Sequence, residues 1–136
     1  MKIVLDTNVA VSGFLSPHGP PAQILYRITQ GEIELLYDAR ILEEYREVLH
    51  RPDLDLPKDA IRQFLKRVES EGQFIIPRPL PHRLPDADDE AFLEVAVEGH
   101  ADALVTGNLK HFPRAAAAGV PVLSPIDFVN HLRRSG

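Results

Sequence analysis

The sequence has no cysteine and no long run of apolar residues. Without cysteine there is no disulfide framework, no thiolate zinc site and no thiol catalysis, so any bound metal must have oxygen or imidazole ligands. The N-terminal apolar run ends after three residues at Asp6, too short for a signal peptide or a membrane helix, so we expect a soluble cytoplasmic protein that does not contact a membrane. The net charge of −5 argues against non-specific binding of a nucleic-acid duplex through a basic surface.

The length of 136 residues and the hydrophobic content of 44% predict a single domain over residues 1–136. Strand-like and helical patterns alternate, as is typical of an α/β protein with a parallel sheet. The predicted strands cover residues 3–5, 33–37, 74–76, 103–106 and 120–123, the last at a sheet edge because it contains Pro121. The predicted helices cover about 21–30, 38–51, 58–71, 86–98 and 125–132, the last with Ile126, Phe128, Val129 and Leu132 as its apolar side.

Asp6 follows the first apolar run directly, at the carboxyl end of a strand that we expect in the middle of the sheet. Ligands of open α/β sheets bind outside the carboxyl ends of the strands, so a carboxylate there is a candidate for chemistry. Thr7, Asn8 and Ser12 supply polar groups beside it. The alternative is that Asp6 and Asn8 only form the turn that ends the strand.

Glu44 lies in the second predicted helix, three residues after Ile41 and four before Val48, at or near the apolar side. A charge in that position needs a partner. One alternative is an ion pair with a nearby lysine or arginine, and another is an exposed position at the margin of the apolar stripe.

A third acidic segment, residues 86–89, begins the helix that contains Phe92 and Leu93. Asp89 shares the apolar side of this helix, whereas acidic residues in a first turn also cap helices and stabilise their dipoles. We expect capping to explain at least one of Asp86, Asp88 and Asp89, and another to face the cleft.

Carboxylates suit Mg²⁺ or Mn²⁺, which prefer oxygen ligands. Asp6, Glu44, Asp86 and Asp89 supply such a set. Two ions about 4 Å apart can activate a water and stabilise the leaving oxygen when a phosphodiester is hydrolysed. The reaction class that these residues indicate is metal-assisted hydrolysis.

In four segments the sequence resembles the PIN domain family, which includes metal-dependent ribonucleases and the VapC-type toxins of toxin–antitoxin pairs. The segments are Val4-Leu5-Asp6-Thr7-Asn8-Val9, Leu42-Glu43-Glu44-Tyr45, Asp86-Ala87-Asp88-Asp89 before Phe92, and Val105-Thr106-Gly107-Asn108. They span nearly the whole chain in the family's order.

The resemblance implies a three-layer α/β/α sandwich around a five-stranded parallel sheet. It implies metal binding by Asp6, Glu44 and Asp89, with Asp86 as a further member of the acidic set. The implied substrate is single-stranded RNA, and the implied partners are an antitoxin protein and a second copy of the chain.

Asn108 departs from the family pattern, which often has aspartate after Thr106-Gly107. Asparagine offers an amide oxygen but no negative charge, so binding of a second metal ion is in question. Just beyond it, Lys110, His111 and Arg114 are candidate RNA contacts, with a solvated loop as the alternative for His111. Other candidate backbone contacts are Arg78, His82 and Arg83, the helical face Arg62, Lys66 and Arg67, and Arg133 with Arg134.

Three functions remain open at this point. The first is a metal-dependent endoribonuclease in which Asp6, Glu44, Asp89 and Asn108 form the catalytic group. The second is a PIN-like scaffold that binds RNA or protein with little or no turnover. The third is a Mg²⁺-dependent phosphatase with Asp6 as nucleophile, which is disfavoured because such enzymes use Asp-x-Asp and this chain has Asn8 in the second place.

Overall fold

The five strands form one parallel sheet in a computed structural model that describes residues 1–81, 83–113 and 118–135 of the chain. The strands are β1 (Lys2–Leu5), β2 (Glu34–Tyr37), β3 (Gln73–Phe74), β4 (Ala103–Val105) and β5 (Val122–Leu123). Their order is β3-β2-β1-β4-β5, so β1 is central and pairs with β2 and β4. Its residues Ile3, Val4 and Leu5 are completely buried, as expected for a strand with both faces covered.

The described helices are α1 (Thr7–Leu15), α2 (Pro20–Thr29), α3 (Ala39–Leu49), α4 (Lys58–Glu71), α5 (Glu90–Glu98) and α6 (Pro125–Ser135). Short 3₁₀ turns cover Pro52–Leu54, Ala87–Asp89 and Leu109–His111. Among the described residues, no helix has the length and apolar character that crossing a membrane requires.

The helices form layers on both faces of the sheet. The chain steps from β1 to β2 to β3 in one direction and then returns past β1 to β4 and β5. Because such crossovers are right-handed, the return places α5 on the opposite face from the helices before it. α5 packs on β1, β2 and β4, whereas α4 packs on β2 and β3, α6 packs on β4 and β5, and α2 contacts both α4 and α6. The predicted three-layer α/β/α fold is therefore confirmed.

Helix α1 was not predicted from the sequence. It begins directly after Asp6 and packs closely on α2. A Cβ atom at Gly13 would lie 2.4 Å from Cδ1 of Leu25 and 3.0 Å from the carbonyl oxygen of Pro21. Gly13, which in a sequence favours a turn, here allows the close approach of two helices.

Two smaller predictions about apolar segments were wrong. The third strand covers Gln73–Phe74 instead of 74–76, although the Ile75 N–H still donates to the carbonyl oxygen of Tyr37 at 2.8 Å. Ile76 and Ile126 are exposed. Ile126 lies in the first turn of α6, whereas Phe128 in the next part of the helix is completely buried. The edge position of β5 was predicted correctly.

Candidate active site

Three acidic side chains from different parts of the chain influence one another at the carboxyl end of β1. Asp6 follows β1, Glu44 lies in the middle of α3, and Asp89 ends the 3₁₀ turn before α5. Burial is the largest cause of a raised pKa in all three, and the charge of Asp6 raises the pKa of Glu44 and of Asp89 further. The structure therefore gathers the three carboxylates that the sequence singled out.

Asp6 is buried and is held by the strand next to it. The Thr106 hydroxyl donates to Oδ2 of Asp6 at 2.7 Å, and the same hydroxyl oxygen accepts the Asn108 N–H at 3.0 Å. Burial raises the pKa of Asp6, while the Thr106 hydrogen bond acts in the opposite direction. Asp6 directly precedes α1, and hydrogen bonds from the backbone of Thr7 and Asn8 also lower its pKa. A local turn role and a place in the acidic group are therefore both compatible with its position.

Glu44 is half-buried, and no lysine or arginine in the described part of the chain forms an ion pair with it. Instead, the hydroxyl of Thr7 in α1 donates to Oε2 of Glu44. Burial raises the pKa of Glu44 most, followed by the repulsion of Asp6, Asp88 and Asp89. The ion pair considered from the sequence is therefore replaced by a hydroxyl donor.

Tyr45, the next residue on α3, is completely buried beneath the acidic group. Its hydroxyl donates to the carbonyl oxygen of Leu5 at 2.6 Å, immediately before Asp6. Burial and the charges of Asp6 and Glu44 raise the pKa of Tyr45 well above its ordinary value, so the hydroxyl stays protonated. The residue thus ties α3 to β1 at the point where Glu44 and Asp6 approach each other.

The three aspartates of the acidic segment have different surroundings. Asp86 is exposed, and its Oδ1 accepts the N–H of Asp88 at 2.9 Å while its carbonyl oxygen accepts the N–H of Asp89 at 3.1 Å. The expected capping role therefore belongs to Asp86. Asp89 is buried, and its Oδ2 lies 3.1 Å from Nδ1 of His111. By strict geometry Oδ2 has no hydrogen-bond donor among the described residues, although the nearby imidazole of His111 lowers the pKa of Asp89.

The structure places some, but not all, of the polar side chains named from the sequence beside the acidic group. Thr106 and Asn8 lie at the site, where the amide of Asn8 is next to Gly107 and its Oδ1 is buried with no hydrogen-bond donor in the described structure. Ser12 lies on the exposed side of α1, and no hydrogen bond between described residues joins it to the carboxylates. Asn108 contributes its backbone N–H to Thr106, and the residue itself is exposed.

The candidate RNA contacts beyond Asn108 are only partly described. Lys110 and His111 lie in the exposed 3₁₀ turn that follows β4. His111 is close to Asp89, as given above, and lowers the pKa of Asp6 and of Asp89, so it is not simply a solvated loop residue. Arg114 and His82 lie outside the described residues.

The chemistry of the donors fits a divalent cation, although the side chains do not form a finished cage. Among the described residues, no three His, Asp or Glu side chains converge closely enough to hold a metal ion as they stand. The site nevertheless offers oxygen donors and two buried oxygens without hydrogen-bond donors, on Asn8 and Asp89. Burial raises the pKa of all three carboxylates, and the charge of Asp6 raises the pKa of Glu44 and Asp89 further, so a bound cation would stabilise their charged forms.

Two features of the site could not be read from the sequence. The sequence left open whether Asp88 caps the helix or faces the cleft, and in the structure it is exposed while its charge raises the pKa of Glu44. Tyr45 was assigned only to the apolar side of α3, because a hydroxyl bound to a strand carbonyl has no sequence signal. The sequence gives one signal for them: Asp88 is adjacent to Asp89, and Tyr45 is adjacent to Glu44.

A parallel sheet between helices, with a buried acidic group at the carboxyl end of its central strand, defines an α/β protein of the kind that carries its site at the strand ends. Comparison with known families makes this specific. A sequence model described as PIN domain matches residues 2–110 of this chain. The chain belongs to the PIN domain family.

Two individual proteins are similar to this chain, one in sequence and one in fold. The uncharacterized protein MJ1680 of Methanocaldococcus jannaschii is 31% identical over 111 residues, which cover 79% of this chain and 71% of that protein. The crystal structure of VapBC2 from Rickettsia felis bound to a DNA fragment from their promoter is similar in fold, with a TM-score of 0.55 and 17% identity. The match covers 91% of this chain and 98% of the chain in that structure.

Proposed function

We propose that this PIN domain is a metal-dependent endoribonuclease that hydrolyses phosphodiester bonds in single-stranded RNA. One observation carries the proposal. Asp6, Glu44 and Asp89 lie within electrostatic reach at one end of the sheet, their pKa values are raised, and none of them forms an ion pair with a described lysine or arginine. Among the described residues the imidazole of His111 lies close to Asp89, but no lysine or arginine neutralises the group, and such carboxylates suit a bound cation.

In this proposal Asp6, Glu44 and Asp89 hold Mg²⁺ or Mn²⁺, with Asp86 and Asn108 at the margin of the site. The cation supplies activation of water and neutralisation of the charge that develops on the phosphate. Thr106 and Thr7 orient Asp6 and Glu44 through their hydroxyls. Orientation of this kind keeps the carboxylate oxygens in place before the substrate arrives.

The biological setting that we propose is the toxin of a toxin–antitoxin pair. Membership of the PIN domain family supports it, and so does the fold shared with VapBC2 of Rickettsia felis. An antitoxin protein is then the expected partner, and a second copy of the chain is a further one. Co-purification with the product of a neighbouring gene tests this part separately from RNA cleavage.

A second candidate function is a PIN scaffold that binds RNA or protein with little turnover. It is favoured by the neutral Asn108 at a position where the family often has aspartate, and by the absence of a ready three-ligand group among the described residues. Rates of cleavage separate the two candidates, because a scaffold binds RNA without metal-dependent hydrolysis.

The test is cleavage of end-labelled single-stranded RNA in Mg²⁺, Mn²⁺ or EDTA. We expect cleavage only with the metals, and we expect Asp6→Asn to abolish it while the metal-free protein remains at least as stable, because one repelling charge is removed. Asp53→Asn, at an exposed turn outside the site, is the matched control and should cleave normally. Hydrolysis of a small phosphate ester in place of RNA would favour the phosphatase, and an unfolded Asp6→Asn protein would make Asp6 a structural residue.

A further inference from the structure

A second charged feature lies away from the acidic site, in a groove between α3 and α4. The groove has a volume of about 560 Å³. Most of the side chains that line it are basic, which stands out in a chain with a net charge of −5. They are Arg46 and His50 of α3 and Lys58, Arg62 and Lys66 of α4.

The basic groups of the groove are only partly neutralised. Glu69 is the one carboxylate among the described lining residues, and it forms an ion pair with Arg46. Arg62 pairs with Asp59 at 3.1 Å, but both side chains are largely exposed, so water screens the pair. Lys58 and Lys66 form no ion pair with any described residue. The groove therefore keeps an excess of positive charge.

Helix stability does not explain Lys58. It is the first residue of α4, where the positive end of the helix dipole disfavours a cation. Lys66 is exposed two turns further along the same helix. Lys58, which its own helix disfavours, and Lys66, which has no ion-pair partner among the described residues, are therefore candidates for binding an anion.

We propose that this groove binds backbone phosphates of the single-stranded RNA whose cleavage we propose above, on which this inference rests. Arg46 and His50 follow Glu44 by two and six residues, which places them roughly 200° and 240° around α3 from it. The groove and the acidic group thus lie on opposite sides of one helix, which is about 10–12 Å thick with its side chains. A single strand that links them crosses the outer side of α3, past the exposed Glu43 and past Glu47, which is paired with Arg51.

The chemistry of the groove suits phosphates better than bases. Its polar groups are almost all hydrogen-bond donors, and phosphate oxygens are acceptors. Apart from the imidazole of His50, no aromatic ring of a described residue lines it, so the described groove lacks the stacking surface that holds unpaired bases. The acidic group repels RNA, and cations beyond α3 offset that repulsion. Binding at the groove is therefore independent of base sequence and sensitive to salt.

The test measures binding of a labelled short oligouridylate to the whole protein in EDTA, over a series of salt concentrations. We expect Lys58→Ala with Lys66→Ala to weaken binding and to reduce the slope of log K against log salt by about 0.7 for each lysine that contacts a phosphate. Lys2→Ala with Arg27→Ala removes the same charge at the start of β1 and the end of α2, and should leave the slope unchanged. Lys58→Gln with Lys66→Gln repeats the test without shortening the side chains as far.

The possible results separate this inference from the proposed nuclease. If the alanine and the glutamine double variants both keep the wild-type slope of log K against log salt, the groove is not an RNA site, even if the wild-type protein cleaves RNA. Lysine-dependent binding without metal-dependent cleavage supports the groove and refutes the nuclease. If the lysine variants lose binding to polyglutamate but not to oligouridylate, the groove binds an acidic protein segment and the inference is overturned. If the wild-type protein does not bind oligouridylate at low salt, the inference is also overturned.

Discussion

Replacing Thr106 by valine removes a hydroxyl at the centre of the acidic group while keeping nearly the same volume. Thr106 is completely buried, donates to Asp6 and accepts the Asn108 N–H. A hydrogen bond to a charged group contributes about 1.5–3 kcal/mol and a neutral one about 0.5–1.5 kcal/mol. We expect the free energy of unfolding of the metal-free protein to fall by about 2–4 kcal/mol, and the melting temperature to fall by about 10 °C for a domain of this size.

Urea unfolding and thermal melting of the metal-free protein measure this loss, and two comparisons assign it. Thr106→Ser keeps the hydroxyl and should lose only about 1 kcal/mol for the missing methyl group. In the Asp6→Asn protein the Thr106 hydroxyl meets a neutral amide at position 6 instead of a carboxylate. Thr106→Val should therefore cost about 1 kcal/mol less there than in the wild-type protein.

The same bond favours the charged form of Asp6, so the cost of Thr106→Val should shrink as the pH is lowered and Asp6 becomes protonated. Because burial raises the pKa of Asp6, this change should begin above the ordinary range of aspartate, near pH 4. Equal losses for the valine and serine variants, or a valine loss that does not depend on Asp6 or on pH, would refute the assigned role of the hydroxyl.

Three further predictions concern the carboxylates. Mg²⁺ or Mn²⁺ at ~100 times its dissociation constant should stabilise the protein by about 2.7 kcal/mol, and an unchanged melting curve relative to EDTA would count against Asp6, Glu44 and Asp89 as ligands. The stability advantage of Asp6→Asn over the wild-type protein should be absent at low pH and should grow as the pH rises through the raised pKa of Asp6, because the fold disfavours the charged carboxylate. Urea unfolding at several pH values measures this advantage. An advantage that falls as the pH rises would mean that the fold favours the charged carboxylate. Asn108→Asp should shift the metal titration of RNA cleavage to lower concentration by adding a charge for a second ion, and an unchanged or higher titration midpoint would mean that Asn108 is not a weakened ligand.

The fold was predictable wherever a segment had one clear periodicity. The unbroken apolar run of β1 and the helical spacing of Ile61, Phe64, Leu65 and Val68 in α4 place those residues in the core, as the structure confirms. Helix α1 lacked such a signal. Its buried residues are Thr7, Val9, Ala10 and Gly13, which include β-branched side chains and a glycine, so contacts with the rest of the protein outweigh local propensity there.

The candidate site was predictable in its residue types but not in its contacts. The rule that ligands bind at strand ends pointed to Asp6, and spacing pointed to Glu44 and Asp89. The hydroxyl of Thr106 reaches Asp6 only because β4 pairs with β1, and strand order is not visible in a single sequence. The separate roles of Asp86 and Asp89 depend on a 3₁₀ turn. The turn leaves the Asp86 carboxylate exposed and buries the Asp89 carboxylate, three residues further along the chain.

The central position of β1 also determines when the acidic group can form during synthesis. Its neighbour β4 is made late, and Thr106 follows Asp6 by 100 residues. At about 5–20 residues per second, a ribosome needs roughly 5–20 s to cover that distance. During this time β1 lacks one of its two partner strands and Asp6 lacks its hydroxyl donor. A nascent or truncated chain that ends before β4 therefore lacks part of the acidic group's support, and we expect its activity to begin only after β4 has been made.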